Sequence, residues 1–175
     1  MDLYRDFKEL LESLNAQRVE YVIVGGYALA FHGAPRYTKD MDVFVRPSDV
    51  NAQRLLAALD VFGFGQVGLT VEDFNKPEQI AQLGYPPVRV DIITSIEGVS
   101  WEEAESGKCM GEYGGVPVPF LGRGQFIANK KAVGRFRDLA DIEALGEDPG
   151  AVVKPKQSKP DSRPQGRRGK PQNHP

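Results

Sequence analysis

Apolar residues recur along the first half of the chain at spacings that separate helices from strands. Leucine and phenylalanine recur every three or four positions over 3–16, which predicts an amphipathic helix. Four consecutive apolar residues at 21–24 predict a short buried strand that stops at a pair of glycines. A short helix over 27–31 and a second strand over 41–45 follow. The pattern therefore opens as helix, strand, helix, strand.

The second half of the chain predicts two more strands and four more helices. In chain order these are a helix with Ser48 as its N-cap, a strand at 88–94, a short helix at 100–106, a strand at 116–121, and helices at 124–134 and 136–146. We interpret 116–121 as an edge strand, because Pro117 and Pro119 cannot donate hydrogen bonds to a neighbouring strand. Residues 63–86 are rich in glycine and give no clear prediction.

These elements predict one mixed α/β (α+β) domain over 1–150, with a small mixed sheet flanked by helices. Residues 151–175 differ in composition, with seven Lys or Arg residues, one acid and five prolines. They carry no apolar rhythm and no aromatic residue, so they cannot bury enough surface to offset the entropy of ordering. We interpret 151–175 as a disordered basic, Pro-rich tail.

The charge distribution changes once the tail is set apart. Of the 22 basic and 24 acidic residues of the chain, the tail holds seven and one, which leaves 15 basic and 23 acidic residues in 1–150. A domain this acidic is not a general nucleic-acid-binding surface. The tail either binds polyanions weakly or keeps the protein in solution.

Cysteine, histidine and hydropathy exclude several classes of protein. A single cysteine and two histidines exclude an intramolecular disulfide, a multi-cysteine zinc site and a histidine-rich metal site. No run approaches the roughly 20 apolar residues of a membrane span, and the N-terminus has no apolar signal core. We expect a soluble cytoplasmic protein with no membrane partner.

Three aspartates are the clearest candidates for chemistry. Asp40 and Asp42 are two apart at the start of a strand, so their side chains share one face. Asp91 lies inside the hydrophobic strand at 88–94, and the three acids converge if the two strands pair. Two carboxylates about 6.5 Å apart repel by roughly 2.5 kcal/mol at an effective dielectric near 20. A hard cation such as Mg²⁺, which prefers oxygen ligands, would neutralise them.

A pair of glycines, Gly25 and Gly26, lies between the first strand and the next helix. Glycines at such a turn let the backbone approach a ligand closely, and free amides at a helix start attract phosphate. A tight structural turn would use the same residues. The P-loop sequence G-x-x-x-x-G-K-[ST] and the dinucleotide-binding sequence G-x-G-x-x-G do not occur.

The combination of these motifs resembles the polymerase-β-like nucleotidyltransferase superfamily. Its signature is a hydrophobic residue, Gly-Gly or Gly-Ser, a spacer, Asp-h-Asp-h (h, hydrophobic) and a third acid on a later strand. Here Val24-Gly25-Gly26 precedes Asp40-Met41-Asp42-Val43, with thirteen residues between. The run from Arg36 to Asp42 is similar to the Arg-x-Thr-x-Asp-x-Asp of small bacterial members related to AbiEii-type toxins. The resemblance covers most of 20–146.

The resemblance implies a division of labour among these residues. Gly25 and Gly26 would hold the triphosphate of an NTP such as ATP, and Asp40 and Asp42 would hold Mg²⁺ or Mn²⁺. Asp91 would be the third acid, which binds metal and activates the hydroxyl of the acceptor.

Several other residues have both a functional and a structural interpretation. Lys130 lies with the apolar stripe of its predicted helix, and in similar proteins a lysine there contacts the nucleotide phosphates; a structural salt bridge is the alternative. Arg36 and Thr38 either position substrate or phosphate, or serve the loop. The relatives often show Lys-Asp followed by a further Asp, where this chain has Arg137-Asp138 and Asp141, and Arg137 with Asp141 would suit a helix ion pair. We interpret His32 as a helix-end residue and Trp101 as a packing residue.

The predicted function is transfer of a nucleoside monophosphate from an NTP to an acceptor, with release of pyrophosphate. The acceptor would be an RNA 3′ end, a hydroxyl of a partner protein or a small molecule, and the family suggests a toxin–antitoxin setting with a cognate antitoxin or toxin. The alternatives are a catalytically silent nucleotide- or RNA-binding module with the same fold, and a partner subunit that docks through the basic tail.

Overall fold

A computed structural model of the chain describes residues 5–85 and 87–150. The predicted tail at 151–175 lies outside the described residues. The α-helices are α1 (Arg5–Ala16), α2 (Gly25–Phe31), α3 (Asp49–Phe62), α4 (Trp101–Gly107), α5 (Arg123–Val133) and α6 (Phe136–Ala144). The strands are β1 (Tyr21–Val24), β2 (Asp40–Val45), β3 (Ile80–Tyr85), β4 (Val88–Ile93), β5 (Cys109–Tyr113) and β6 (Val116–Phe120).

The six strands form one mixed sheet in the order β3-β4-β2-β1-β6-β5. The pairs β2–β4 and β1–β6 are parallel, and the other three pairs are antiparallel. This arrangement confirms the predicted mixed α/β fold with helices around a small sheet.

The sequence pattern did not reveal β3 and β5, which are the two edges of the sheet. β3 lies in the glycine-rich stretch that gave no clear prediction, and only one of its residues, Leu83, is buried. β5 likewise buries only Tyr113. A strand that buries little has no need of a continuous or alternating apolar pattern, so these strands left no signal in the sequence.

The prediction that β6 is an edge strand is wrong, because β6 lies between β1 and β5. β6 meets β1 only at its C-terminal end, where the Leu121 N–H donates to the Ile23 carbonyl. Successive backbone amides of a strand point to opposite sides, so Pro117 and Pro119 lie on the side of Leu121, away from β5. The prolines therefore occupy the unpaired part of that side, where Asn15 donates to the Pro117 carbonyl.

The core lies between the sheet and the helices that pack against it. The part of the predicted apolar stripe that lies on α1 is buried, and α3 contributes buried apolar residues such as Leu55 and Leu59. Ser48 is the N-cap of α3 and accepts from the Asn51 N–H, as predicted. The buried side chain of Asn51 also bonds the backbone of Glu20 and Arg46, which joins the start of β1 to the end of β2.

The opposite face of β2 carries the aspartates and is partly covered by α4. Phe44 follows Asp40 and Asp42 on this face and packs edge to face against Trp101, with ring centroids 5.2 Å apart. This contact confirms Trp101 as a packing residue. None of the helices in the described residues is long and apolar enough to span a membrane.

Candidate active site

The parallel pairing of β2 with β4 places the third predicted acid beside the second. Asp42 lies directly opposite Asp91, and Asp40 lies opposite Arg89. Paired residues point to the same face of a sheet, and neighbouring strands are about 4.8 Å apart. The structure therefore gathers Asp40, Asp42 and Asp91 on one patch of the sheet, which we call the acid cluster.

The electrostatics of Asp42 reflect this proximity. The pKa of the Asp42 carboxyl is raised to about 6, mainly by burial and then by repulsion from Asp91 and Asp40. Attraction from Lys130 and Arg36 partly opposes this rise in pKa. The negative charge of Asp42 is therefore less favourable in the folded chain than it is in water.

Arg89 is a member of the site that the sequence analysis missed. Its Nη2 donates to Oδ2 of Asp40 at 2.7 Å and to Oδ2 of Asp91 at 3.3 Å. Its Nε lies 3.2 Å from Oδ1 of Asp91, but in a direction that makes no hydrogen bond. The signal in the sequence was its position two residues before Asp91, which puts both side chains on one face of β4.

The glycine pair lies against the acid cluster. Helix α2 begins at Gly25, two residues earlier than predicted, and Gly25 has a φ of +61°. A Cβ at Gly25 would stand 2.0 Å from Oδ2 of Asp42, and a Cβ at Gly26 would stand 2.9 Å from Cβ of Thr38. Both positions therefore require glycine because the chain approaches the predicted site residues so closely.

Lys130 and Arg36 lie together behind the acid cluster, held by two buried aspartates of α6. The Lys130 Nζ is 2.8 Å from Oδ1 of Asp138 and 3.0 Å from Oδ2 of Asp141. Arg36 donates to both oxygens of Asp141, at 2.8 and 3.2 Å. Lys130 is therefore in the structural salt bridge that the sequence analysis gave as the alternative, at the border of the cavity described below.

The ion pair suggested between Arg137 and Asp141 does not form, because Asp141 is taken by Arg36 and Lys130. Lys130 and Arg137 lie on separate helices, because Gly134, with a φ of +68°, caps the C-terminus of α5 and α6 begins at Phe136. His32 follows the last residue of α2, and its Nε2 lies 2.7 Å from the Leu121 carbonyl oxygen. This position agrees with the prediction of a helix-end residue.

A cavity of 460 Å³ opens where these groups meet. Seven of the eight predicted site residues line it, and Asp91 is the exception. The seven are Gly25, Gly26, Arg36, Thr38, Asp40, Asp42 and Lys130. The cavity thus has an acidic wall on β2, a glycine wall at the start of α2 and a basic wall beyond it.

The acid cluster fits a divalent cation in its ligand chemistry. Oδ1 of Asp40 and Oδ1 of Asp91 are buried and accept no hydrogen bond, which leaves two carboxylate oxygens for an ion. Among the described residues, however, no three acidic, histidine or cysteine side chains converge closely enough to hold an ion as they stand. Arg89, which links Asp40 to Asp91, supplies the positive charge there instead.

Comparison with known proteins decides the family. Residues 9–108 match the family described as nucleotidyl transferase AbiEii toxin, type IV toxin–antitoxin system. This match covers more than half of the chain and includes the glycine pair and all three aspartates. The chain belongs to the AbiEii nucleotidyltransferase family.

Solved structures of nucleotidyltransferases share the fold of this AbiEii-family chain. A candidate nucleotidyltransferase from Thermotoga maritima, solved by crystallography, aligns with a TM-score of 0.50 at 16% identity, over 81% of this chain and 89% of that one. The solution structure of the antibiotic-resistance factor ANT(2″)-Ia aligns with a TM-score of 0.51 at 14% identity, over 80% of each chain. A search of curated protein sequences gives no significant match.

The family match and the shared fold confirm three predictions from the sequence. The chain is a nucleotidyltransferase, its fold is that of the polymerase-β-like superfamily, and it belongs to the AbiEii-type family. The family is one of toxin–antitoxin systems, which suggests an NTP substrate and a cognate antitoxin as partner.

We expect that Gly25→Ala lowers nucleotidyl transfer by about 100-fold, the cost of displacing a reacting group by about 1 Å. The new Cβ would collide with Asp42 and push its carboxylate out of the cluster. The measurement is the rate at which pyrophosphate is released from NTP in the presence of Mg²⁺, with a cell extract as the source of acceptors. Gly33→Ala is the matched control, because Gly33 also has a positive φ but a Cβ there would meet nothing within 4 Å. Equal losses in both variants would contradict the prediction.

Proposed function

We propose that this AbiEii-family chain is a Mg²⁺-dependent nucleotidyltransferase that moves a nucleoside monophosphate from an NTP to a hydroxyl acceptor in a toxin–antitoxin system. The observation that carries the proposal is the register of the parallel pair, which sets Asp42 opposite Asp91 with Asp40 on the same face. Two of the three acids, Asp40 and Asp91, each keep a buried carboxylate oxygen without a hydrogen bond beside their pairing with Arg89, and a divalent cation would satisfy these oxygens.

The residues of the cavity, together with Asp91, have different roles in the proposed reaction. Asp40, Asp42 and Asp91 would hold Mg²⁺ or Mn²⁺, and the ion would neutralise charge on the phosphate oxygens. Gly25 and Gly26 leave room for the triphosphate because they carry no side chains next to the acids. We take ATP as the first NTP to test.

Arg36, Thr38 and Lys130 form the rest of the nucleotide site in this proposal. Asp141 fixes the positions of Arg36 and Lys130 at the cavity wall, and both remain close enough to act on Asp42. Thr38 donates to the Asp40 carbonyl at 3.2 Å and packs over Gly26, so it orders the loop before β2. Basic groups on this side complement the phosphates without entering the acid cluster.

The reaction needs positioning more than covalent chemistry from the protein. The acceptor oxygen forms a bond to the α-phosphorus, and the bond from this phosphorus to the oxygen bridging the β-phosphate breaks. Pyrophosphate leaves with the bonding electrons. The hydroxyl proton passes to the Asp91 carboxylate and then to solvent, which is the role that the family resemblance gives to the third acid.

The test is transfer of label from [α-³²P]ATP, with the other three NTPs in parallel, to cell RNA, cell protein and a panel of aminoglycosides. We expect label in one class of acceptor with Mg²⁺ or Mn²⁺ and none after chelation with EDTA. Restoration by added Mg²⁺ is the control for damage by the chelator. Transfer that continues in EDTA would contradict the metal-dependent proposal.

One observation favours a second function, a nucleotide-binding module without catalysis. Arg89 already bridges Asp40 and Asp91, so the cluster is partly neutralised by the chain itself. In a silent module this bridge would persist when the nucleotide binds. Mg²⁺-dependent binding of ATP by calorimetry, with no label transferred to any acceptor, would favour this second function.

A further inference from the structure

The edge strand β3 presents an open side within the part of the chain that the structure describes. It is the last strand of the sheet next to β4, and its six residues include no charged residue and no proline. Ile80 is 69% exposed and Tyr85 is 88% exposed. Edge strands are usually protected by charges or prolines, so an unprotected edge with exposed apolar side chains is a site for pairing with another chain.

The backbone groups of β3 that face outward can be identified. The Thr94 N–H donates to the Gln79 carbonyl at 3.1 Å, so residue 79 faces β4. Backbone groups alternate along an extended strand, which turns those of Ile80 and Gln82 to the open side. A groove of 650 Å³ runs along this strand, lined by apolar side chains such as Phe64 and Leu69 and by Asp73. An extended peptide needs this combination of backbone groups and apolar surface.

Residues paired across the sheet connect the open edge with the acid cluster. Asp42 is opposite Asp91, and Asp91 is opposite Gln82 on β3. The Gln82 amide reaches to 3.4 Å from Oδ2 of Asp91. The cavity with the glycine pair lies on the β2 side of Asp91, so β3 is the side from which an acceptor can approach.

The charge around β3 selects against polyanions. Asp73 lines the groove along β3, and Glu78 and Glu97 line an adjoining cavity next to Ile80. Arg89, the basic residue of the groove, is already paired with acids. A surface of this charge repels a phosphate backbone and attracts a basic chain.

We infer that the acceptor is a basic peptide segment that pairs with the open side of β3 and presents a hydroxyl side chain to Asp91; this inference rests on the proposed nucleotidyl transfer. The peptide oxygen bonds to the α-phosphorus of the NTP, the bond to the β-phosphate oxygen breaks, and pyrophosphate leaves. The proton passes through Asp91 to solvent. The products are a peptide carrying a nucleoside monophosphate on its hydroxyl and pyrophosphate.

The geometry favours tyrosine among the hydroxyl side chains. A strand added to β3 stands two strand spacings, about 10 Å, from β4, with Gln82 between it and Asp91. A serine or threonine hydroxyl is one bond beyond Cβ and stays above its own strand. The phenol oxygen of tyrosine is at the far end of a ring, so it can reach from the added strand past Gln82 towards Asp91.

The experiment uses the full chain, [α-³²P]ATP with the other NTPs, Mg²⁺ and the synthetic peptide Lys-Val-Lys-Tyr-Val-Lys. We expect at least about tenfold more label in this peptide than in the versions with phenylalanine for tyrosine or glutamate for lysine, since each change removes a required group. Cell tRNA and aminoglycosides are incubated in parallel. Labelling of tRNA or an aminoglycoside in place of the peptide overturns the inference and leaves nucleotidyl transfer standing.

Binding of Mg²⁺–ATP to the same sample, measured by calorimetry, separates the two ways of failing. If no acceptor is labelled although Mg²⁺–ATP binds, the peptide inference is overturned. If binding is absent as well, the proposed function fails together with it.

Two variants of β3 test the pairing itself. Ile80→Pro removes an outward backbone N–H and no hydrogen bond to β4, so we expect about tenfold less peptide labelling. Ile80→Ala shortens the side chain but keeps this N–H, so its loss of labelling should be clearly smaller. Glu78→Lys reverses a charge beside the edge and should also reduce labelling, whereas Glu112→Lys makes the same change on β5 at the far edge of the sheet. If Ile80→Pro fails to fold by circular dichroism, the glutamate pair decides. Equal labelling by both glutamate variants would overturn the inference.

Discussion

Replacing Asp42 by asparagine is expected to lower nucleotidyl transfer by about a thousandfold, the loss typical when one preorganised group for developing charge is removed. Asp42 lines the cavity and lies opposite Asp91, and its carboxylate lies where a side chain at position 25 would collide with it. Asparagine has the same shape, so the loss would come from the missing charge. The measurement is label transfer from [α-³²P]ATP under saturating Mg²⁺.

The same substitution is expected to stabilise the fold. Burial and the neighbouring acids raise the pKa of Asp42 to about 6, so at pH 7 the carboxylate is ionised where the folded chain disfavours its charge. Removing the charge should raise the free energy of unfolding by on the order of 1 kcal/mol. Urea unfolding without added metal measures this, and Asp6→Asn, on the exposed side of α1, is the control that should change neither stability nor transfer. An Asp42→Asn variant that transfers as fast as wild type would remove the acid cluster from the mechanism.

The parts of the fold that the sequence predicted are those with a local cause. β1 is four consecutive buried residues, α1 has a strict apolar stripe, and the N-cap at Ser48 depends on a contact three residues away. Each of these signals is contained in a short window. The edge strands β3 and β5 bury few residues and form by pairing with β4 and β6. A short window of sequence does not show such pairing.

The residues of the candidate site also separate into those with a local signal in the sequence and those without one. Asp40 and Asp42 could be found because strand alternation puts residues two apart on one face, and Asp91 because an acid interrupts an apolar strand. The pairing of Arg89 with Asp40 joins residues 49 positions apart, and that of Arg36 with Asp141 joins residues 105 apart. Such pairs depend on the order and register of the strands and on how α6 packs, which no spacing rule supplies.

The ion pairs of α6 also change the interpretation of Lys130. The sequence placed a lysine on an apolar stripe and left two roles for it, in phosphate binding or in a salt bridge. The structure shows the salt bridge at the border of the cavity, so a lysine in this position could take part in both roles. A buried lysine that bridges two carboxylates is then expected to matter for stability as well as for the nucleotide.

Lys130→Met is expected to lower the free energy of unfolding by about 3 kcal/mol, the lower range for breaking a buried ion pair. Lys130 is 8% exposed, and Asp138 and Asp141 are 2% and 3% exposed, so two carboxylates would lose their nearest buried cation. Methionine keeps the apolar stem, which isolates the loss of charge. Urea unfolding at pH 7 measures the effect. Lys8→Met, at a half-exposed lysine of α1 whose pair with Glu12 is 3.9 Å long, is the control and should change little.

The pH dependence of the Lys130→Met deficit follows from the two aspartates. Burial alone would raise the pKa values of Asp138 and Asp141, but hydrogen bonds and attraction from Lys130, Arg135 and Arg36 bring both below the usual value of 3.8. In wild type their stabilising contribution is therefore complete at neutral pH and is lost only as pH falls through those lowered values. In the variant burial is less opposed, so both pKa values rise and the deficit should shrink as pH falls from 7 towards 4. Adding Asp138→Asn to Lys130→Met should recover part of the loss at pH 7, because it removes a buried carboxylate whose remaining partner, Arg135, has a side chain that is 76% exposed. A deficit that is independent of pH and unchanged in the double variant would mean that Lys130 stabilises the fold by packing, for example over the Phe126 ring 5.4 Å away, and not by its charge.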